Sequence, residues 1–347
     1  MADEVLLEEY NPFGNIQAVV EVASGACYFY LVGEPSTEFG TRSVWVRNLV
    51  AAPNGLDVVA MRDGRAPLNP RDHTREPRGA RAPRPSDLRV VWLPEGNGAA
   101  LFERDTMVAI IPPWSGSGGF HGYAAACVGE GPLAWEMPRD GEVIERFRDA
   151  ERYWAGWDTD AIWPDAGDAV IESIHAALGR HSNYYAIDGG QWPPKAALRI
   201  PRPEGTVFVT AGVSLVPQPT VELYSDDWKA LRRIELAAML PLSWPDDAVK
   251  TFGKYLSAQS RLPWNVYAWL GAGHTIPCDS WRNPRYTAAL LVRDHPVVGS
   301  VEGAKVLGDP VSILWFVPIT DSERQLAMDE GSAALERQLP RDRWTDA

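Results

Sequence analysis

The stretch "RRIELAAMLPLSW" (residues 232–244) decides how the second half of this chain is read. Ile234, Leu236, Ala238 and Leu240 recur at every second position, the period of a strand, while the residue types themselves also suit a helix. Taken alone, the stretch leaves strand and helix open. Its neighbours set the context. "TVFVTAGVSLV" (206–216) is strand-like, and "VSILWFVPI" (311–319) has the continuous apolar run of a buried strand. "DDAVKTFGKYLSAQSRLP" (246–263) reads as a helix with Val249, Phe252 and Leu256 on one face.

Further out the signals are more local. "ITDSERQLAMDEGSAALERQLP" (319–340) opens with Thr320 and Glu323 at capping-box spacing and predicts one helix. Leu326, Ala334, Leu335 and Leu339 form its stripe, and Pro340 follows its end. "DAVIESIHAALGRH" (168–181) predicts a helix stopped by Gly179. "GEVIERFRDAERYWAGW" (141–157) predicts another, with Val143, Phe147, Ala150 and Trp154 at helical spacing and an end at Gly156.

The first third reads as β. "NIQAVVEVASGACYFYLVG" (15–33) places Ile16, Ala18, Val20 and Val22 at period two, then turns at Ser24-Gly25. "SVWVRNLV", "DLRVVWL" and "TMVAIIPPW" are further strands, and Asn97-Gly98 signals a hairpin. The fold class expected is therefore α+β. A β-rich N-terminal region, residues 1–138, precedes an α+β domain, residues 139–347.

The chain of 347 residues is 45% hydrophobic, with a net charge of −13 that argues against general nucleic-acid binding. Its fifteen tryptophans suit a core more than a contact surface. Cys27, Cys127 and Cys278 are far apart, odd in number and lack metal-ligand spacing, as expected of a reduced cytoplasmic protein. "MADEVLLEEY" lacks the basic start of a signal peptide, and no apolar run reaches the roughly 20 residues of a membrane span. No cofactor or metal is expected.

Residues 62–89 stand apart. They hold eight arginines, five prolines and four acids, a surplus of four positive charges in an acidic chain. One reading is a solvated loop. The other is a basic arm for an acidic partner, carried by Arg71, Arg75, Arg78, Arg81 and Arg84. With little apolar surface, the loop is expected to be removable (residues 68–86) without loss of the fold.

Signatures of catalysis are few in the sequence. There is no phosphate-loop pattern, no His-Glu-x-x-His and no Gly-x-Ser-x-Gly. "WLGAGHTIPCDSW" (269–281) places His274 four residues before Cys278, the spacing of a thiol and its base on a helix; Gly271, Gly273 and Pro277 speak against a helix there. His175 reads as a core or boundary residue, and His181 follows a helix end.

Four short stretches in order give the C-terminal half a resemblance to the suppressor of fused domain family, bacterial type. They are "VTAGVSLVPQP" (209–219), "RRIELAAMLPLSW" (232–244), "GAGHTI" (271–276) and "SILWFVPITDSERQLAMDEGSAAL" (312–335), within residues 170–340. "SVWVRNL", "VVWLPEGNGAALFE" and "IIPPWSGSGGFHGYA" resemble the leading region of longer bacterial members. The resemblance implies a strand at "RIELAAMLP" (233–241) and a mixed sheet with flanking helices. It implies that "GHT" belongs to the fold and that the chain is a non-enzymatic protein-binding module. Animal members of the family grip a short peptide as an added strand. For a bacterial member the resemblance implies an immunity protein that neutralises a polymorphic toxin. An exposed sheet edge in the C-terminal domain is then the second candidate surface. The alternative is a hydrolase or transferase using Cys278 and His274.

Overall fold

The structure is a computed structural model that describes residues 3–159 and 162–347, Glu302 by its backbone alone. It divides into two compact units, residues 1–155 with 264–267, and residues 156–263 with 268–347.

Unit 1 opens with β1 (Glu4–Tyr10), β2 (Ile16–Ala23), β3 (Ala26–Gly33) and β4 (Thr41–Asn48), an antiparallel meander. Ser24 and Gly25 have φ of 52° and 85°, the two left-handed residues a tight hairpin needs. After α1 (Val58–Arg62) come β5 (Leu88–Trp92), β6 (Ala99–Glu103), β7 (Thr106–Ile111), β8 (Tyr123–Ala124) and β9 (Trp135–Glu136), which form a second sheet. The apolar run of β6 is buried on both sides. Ala99 and Leu101 join the core of the first sheet with Val20, Phe29 and Trp45. Ala100 and Phe102 meet Phe147 and Ala150 of α2 (Glu142–Asp158).

Two local expectations change here. The hairpin between β5 and β6 exists, but the positive φ falls on Gly96 and Asn97 is fully buried. The turn is longer than two residues because Leu93 N–H bonds Gly98 O at 2.9 Å. Helix α2 runs through Gly156 to Asp158, so glycine does not end it.

The arginine-rich segment is not a detachable loop. The side chain of Asn48 donates to Asn69 O (2.8 Å) and accepts from Asn69 N–H (3.0 Å) and Trp45 Nε1 (2.8 Å). Both asparagines are fully buried. Ala80 N–H bonds Asn48 O (2.8 Å), Arg75 N–H bonds Ala126 O (2.9 Å), and Asn69 Nδ2 bonds His73 O (2.8 Å). Gly79, at φ +86°, lies so close to the backbone of Leu49 and Val50 that a Cβ would sit 2.8 Å from it. Apolar burial is a poor guide here, because buried polar backbone must be paired.

Unit 2 begins with α3 (Asp168–Leu178), ended as expected by Gly179 at φ 93°. An eight-stranded sheet follows, built from β10 (Asn183–Ala186), β11 (Ala196–Pro201), β12 (Thr206–Ala211), β13 (Ile234–Leu240), β14 (Thr275–Pro277), β15 (Ala288–Val292), β16 (Glu302–Val306) and β17 (Asp309–Ile319). The order is β10-β11-β12-β13-β17-β15-β14, with β16 also on β17. Within this sheet, among the described residues, β13 and β17 pair in parallel and the other pairs are antiparallel.

The deciding stretch is a strand, and all seven residues of β13 are buried. A strand flanked on both edges and covered on both faces needs small and apolar side chains rather than alternation. Of the shorter helices, α4 (Trp228–Leu231) precedes β13 and α6 (Leu262–Val266) follows α5 (Asp246–Gln259). Helix α5 buries Val249, Phe252 and Leu256 against the sheet. The final helix is two. Gly331, at φ 89° and ψ 150°, separates α7 (Asp321–Glu330) from α8 (Ser332–Glu336). The Thr320–Glu323 capping box is present, and Leu335 packs with Leu290 and Ile319. The fold class is α+β, as read from the sequence.

Candidate functional site

His274 and Cys278 are not brought together. His274 O accepts from Leu291 N–H (2.9 Å), and Cys278 N–H donates to Thr287 O (2.9 Å), so the segment between them is extended along β15. Four residues of strand span about 13 Å, beyond reach of a thiol–imidazole hydrogen bond. The imidazole of His274 packs edge-on to Trp269, with ring centres 4.5 Å apart. Burial lowers its pKa. The Cys278 thiol is 1% exposed, and burial pushes it up to about 11, the reverse of an activated nucleophile. The glycines shape the turn: a Cβ on Gly271 would strike the Trp269 ring at 2.4 Å, and Gly273 has φ +88°.

The arginines lie along irregular chain between Pro70 and Asp87. Arg71 opens a 3₁₀ turn, Arg71–His73, and Arg84 precedes another, Pro85–Asp87. Arg75 is committed internally: it pairs with Glu136, and its Nε donates to Ala125 O at 3.2 Å. Arg71, Arg78, Arg81 and Arg84 are exposed and make no ion pair among the described residues. Four guanidiniums are thus presented to solvent by a fixed backbone.

A second surface lies in unit 2, where sequence reading named no residues. β10 is an edge strand, paired only with β11 among the described residues. Asn183, Tyr184 and Ala186 are exposed. Tyr185 turns inward and stacks on Phe208 (ring centres 6.1 Å, 15° between planes). Helix α5 covers β12 and β13 and leaves this end of the face open. The result is a groove of about 390 Å³ whose lining includes Tyr185, Ala197, Phe208, Lys250 and Lys254. The two lysines are one helical turn apart, off the buried stripe of Val249, Phe252 and Leu256. The spacing of Lys250 and Lys254 was legible; what they face was not. Next to this edge His175 Nε2 and His181 Nδ1 share a hydrogen bond of 2.7 Å.

The stretches that carried the resemblance are internal. Glu235, fully buried on β13, accepts from Thr210 Oγ1 (2.6 Å), Gly212 N–H (2.9 Å), Ser214 N–H (3.0 Å) and Ser214 Oγ (2.6 Å). Arg233 donates to Asp309 Oδ2 (2.8 Å), Ser214 O (2.8 Å) and Leu215 O (3.0 Å). Gln218 exchanges two hydrogen bonds with the backbone of Leu270. These groups bind residues 209–219, 232–244 and the turn before His274 to one another, and they face no solvent. Among the described residues no group of three or more His, Cys, Asp or Glu side chains is placed to hold a metal, and no helix is long and apolar enough to cross a membrane.

No curated protein matches the chain. Among solved structures, it is similar to "the Sufu-Fu complex crystal structure", at 16% identity and a TM-score of 0.36, over 50% of this chain and 83% of that one. It is also similar to the crystal structure of Drosophila Suppressor of Fused, at 16% identity and a TM-score of 0.36, over 50% of this chain. The match spans 46% of the Drosophila chain, about half its length. The family model of the suppressor of fused protein (SUFU) matches residues 191–346. Over those residues the chain is similar in sequence to the suppressor of fused family.

Proposed function

We propose that this chain is a non-enzymatic protein-binding module that takes an extended segment of its partner along the free edge of β10. The observation that carries this reading is an open strand edge beside an apolar groove. Edge pairing would supply main-chain hydrogen bonds, and alternate side chains of the guest would enter the groove. The charges select the guest. Lys250 and Lys254 border the groove in a chain of net charge −13, so the fitting segment pairs an apolar residue against Tyr185 and Phe208 with acidic residues.

A second reading rests on Arg71, Arg78, Arg81 and Arg84, exposed and without ion pairs among the described residues, with Arg75 anchoring the segment that carries them. In that reading the arginines meet an acidic patch of the partner. The finer role, neutralising a bacterial toxin in the cytoplasm as an immunity protein, is supported by the resemblance to bacterial members of the family. The two-domain organisation, residues 1–138 and 139–347, would then let each part carry its own surface.

Capture from extract of the native organism, with mass spectrometry of stoichiometric partners, tests these readings when three proteins are compared. Lys250→Glu with Lys254→Glu should lose the partner held by the unaltered chain. Arg78→Glu with Arg81→Glu should keep it. The opposite pattern moves the interface to the arginine segment, and a partner without a toxin-like domain removes the immunity role.

A further inference from the structure

A cavity of about 520 Å³ in unit 2, away from the β10 groove, has an unusual floor. His295 lies in the loop after β15, closed by His295 N–H to Gly299 O (3.2 Å) and Gly299 N–H to His295 O (2.7 Å). The residue is 2% exposed, and its ring packs on Trp315 at 4.8 Å between centres. Nδ1 accepts from the backbone N–H groups of Val297 (3.3 Å) and Val298 (3.4 Å). A nitrogen that accepts carries no proton, so the neutral ring holds its proton on Nε2. Burial keeps the ring neutral, with a pKa pushed down to about 4. No group among the described residues accepts from Nε2, and the residue lines the cavity.

The rest of the lining defines a guest. Val292, Val317 and Leu339 make apolar wall, and Arg293 and Arg341 stand at the rim without ion pairs among the described residues. Asp294 and Glu336 also line the rim and balance the two guanidiniums. A multiply charged anion such as phosphate would meet those carboxylates. A single negative charge on an apolar body meets donors and wall together.

We propose that this cavity binds a small aliphatic monocarboxylate. The carboxylate accepts the Nε2–H of His295 and faces Arg293 and Arg341, and the methylenes lie on Val292, Val317 and Leu339. Volume agrees, since ligand sites commonly span roughly 300–1,000 Å³.

Hexanoate, hexanol and inorganic phosphate are the probes, titrated into the full chain with calorimetry and with the ¹⁵N resonances of His295 as local readout. Hexanoate should bind and shift the Nε2 resonance; hexanol and phosphate should bind at least about tenfold more weakly. Arg293→Gln with Arg341→Gln, both at exposed positions, should weaken hexanoate about tenfold and leave unfolding unchanged. Binding that leaves the His295 resonances unmoved overturns the site. So do equal affinity for hexanol or phosphate, undiminished affinity in the double variant, and no binding of hexanoate.

Discussion

Each unit pins irregular chain with a buried polar clasp, and the two clasps use opposite chemistry. In unit 1 two neutral amides, Asn48 and Asn69, hold the arginine-rich segment against the end of β4. In unit 2 a buried acid, Glu235, and the ion pair of Arg233 with Asp309 hold the turn after β12. An amide brings a donor and an acceptor at modest desolvation cost, so it suits a stretch of backbone that needs both. A buried charge costs far more to desolvate and is held only while every partner stays. Each unit should therefore be fragile at its own clasp, and most so where a buried ion pair is broken.

Arg233→Ala should be the most damaging single change. It leaves Asp309 without one of its two guanidiniums and takes a donor from the carbonyls of Ser214 and Leu215. Breaking a buried pair costs about 3–5 kcal/mol, measurable by urea unfolding. A loss below about 1 kcal/mol would mean that Arg232 takes over the pairing with Asp309, and the charged clasp would then be less exacting than the neutral one.

Asn48→Ala should follow, at about 3 kcal/mol, because it strands Trp45 Nε1 and both backbone groups of Asn69. It should also open residues 68–86 to proteolysis while β13 and β17 stay protected from hydrogen exchange. Deleting 68–86 outright should unfold unit 1, against what the composition of that segment suggests. Retention of a native melting transition after the deletion would show that the clasp is dispensable.

Acid separates the units more gently. His295 is held neutral by burial, with Arg202 adding to the effect, and its pKa falls from 6.5 to about 4. The unfolded chain therefore binds more protons than the folded one between those values, and stability falls as pH is lowered through that window. The stability is intact above about pH 6.5 and about 2–3 kcal/mol of it is gone near pH 4. His295→Phe should flatten the slope in the exchange of β17 amides, while β4, clasped by groups that do not titrate, should show no matching slope. A slope that survives the substitution would point to carboxylates instead.

How much of this was legible follows from the same division. Strands β2 and β3, helix α5 and the capping box at Thr320 are written in local pattern, because each buries one face or satisfies its own terminus. β13 was not decided by local pattern, since its alternating residues are of types that also suit a helix; the family resemblance resolved it. The break at Gly331 and the run of α2 past Gly156 escaped because a glycine permits either outcome and neighbouring chain decides. The arginine segment misled because its anchors, Asn48 and Asn69, lie 21 residues apart and carry no signal as a pair. The candidate surfaces were half legible. The arginines and the two lysines are visible as charges, but a groove exists only once β10 is seen to end the sheet.

The smallest effect is the most discriminating. Glu235 accepts four hydrogen bonds, and yet burial, the largest influence on it, raises its pKa and favours the protonated form. A glutamine resembles that neutral form. Its oxygen can keep the three donors that now meet Oε1, from Gly212 and Ser214, and its amide can donate to Thr210 Oγ1, which already accepts from Leu236 N–H at 2.8 Å. Glu235→Gln should therefore cost about 1 kcal/mol or less near neutral pH, the value of one hydrogen bond re-made with poorer geometry. Glu235→Leu should cost several times more, because four donors lose their acceptor. If glutamine is as damaging as leucine, the clasp depends on the negative charge itself, and unit 2 is then held by a true ion cluster rather than by hydrogen-bond geometry that happens to be built on an acid.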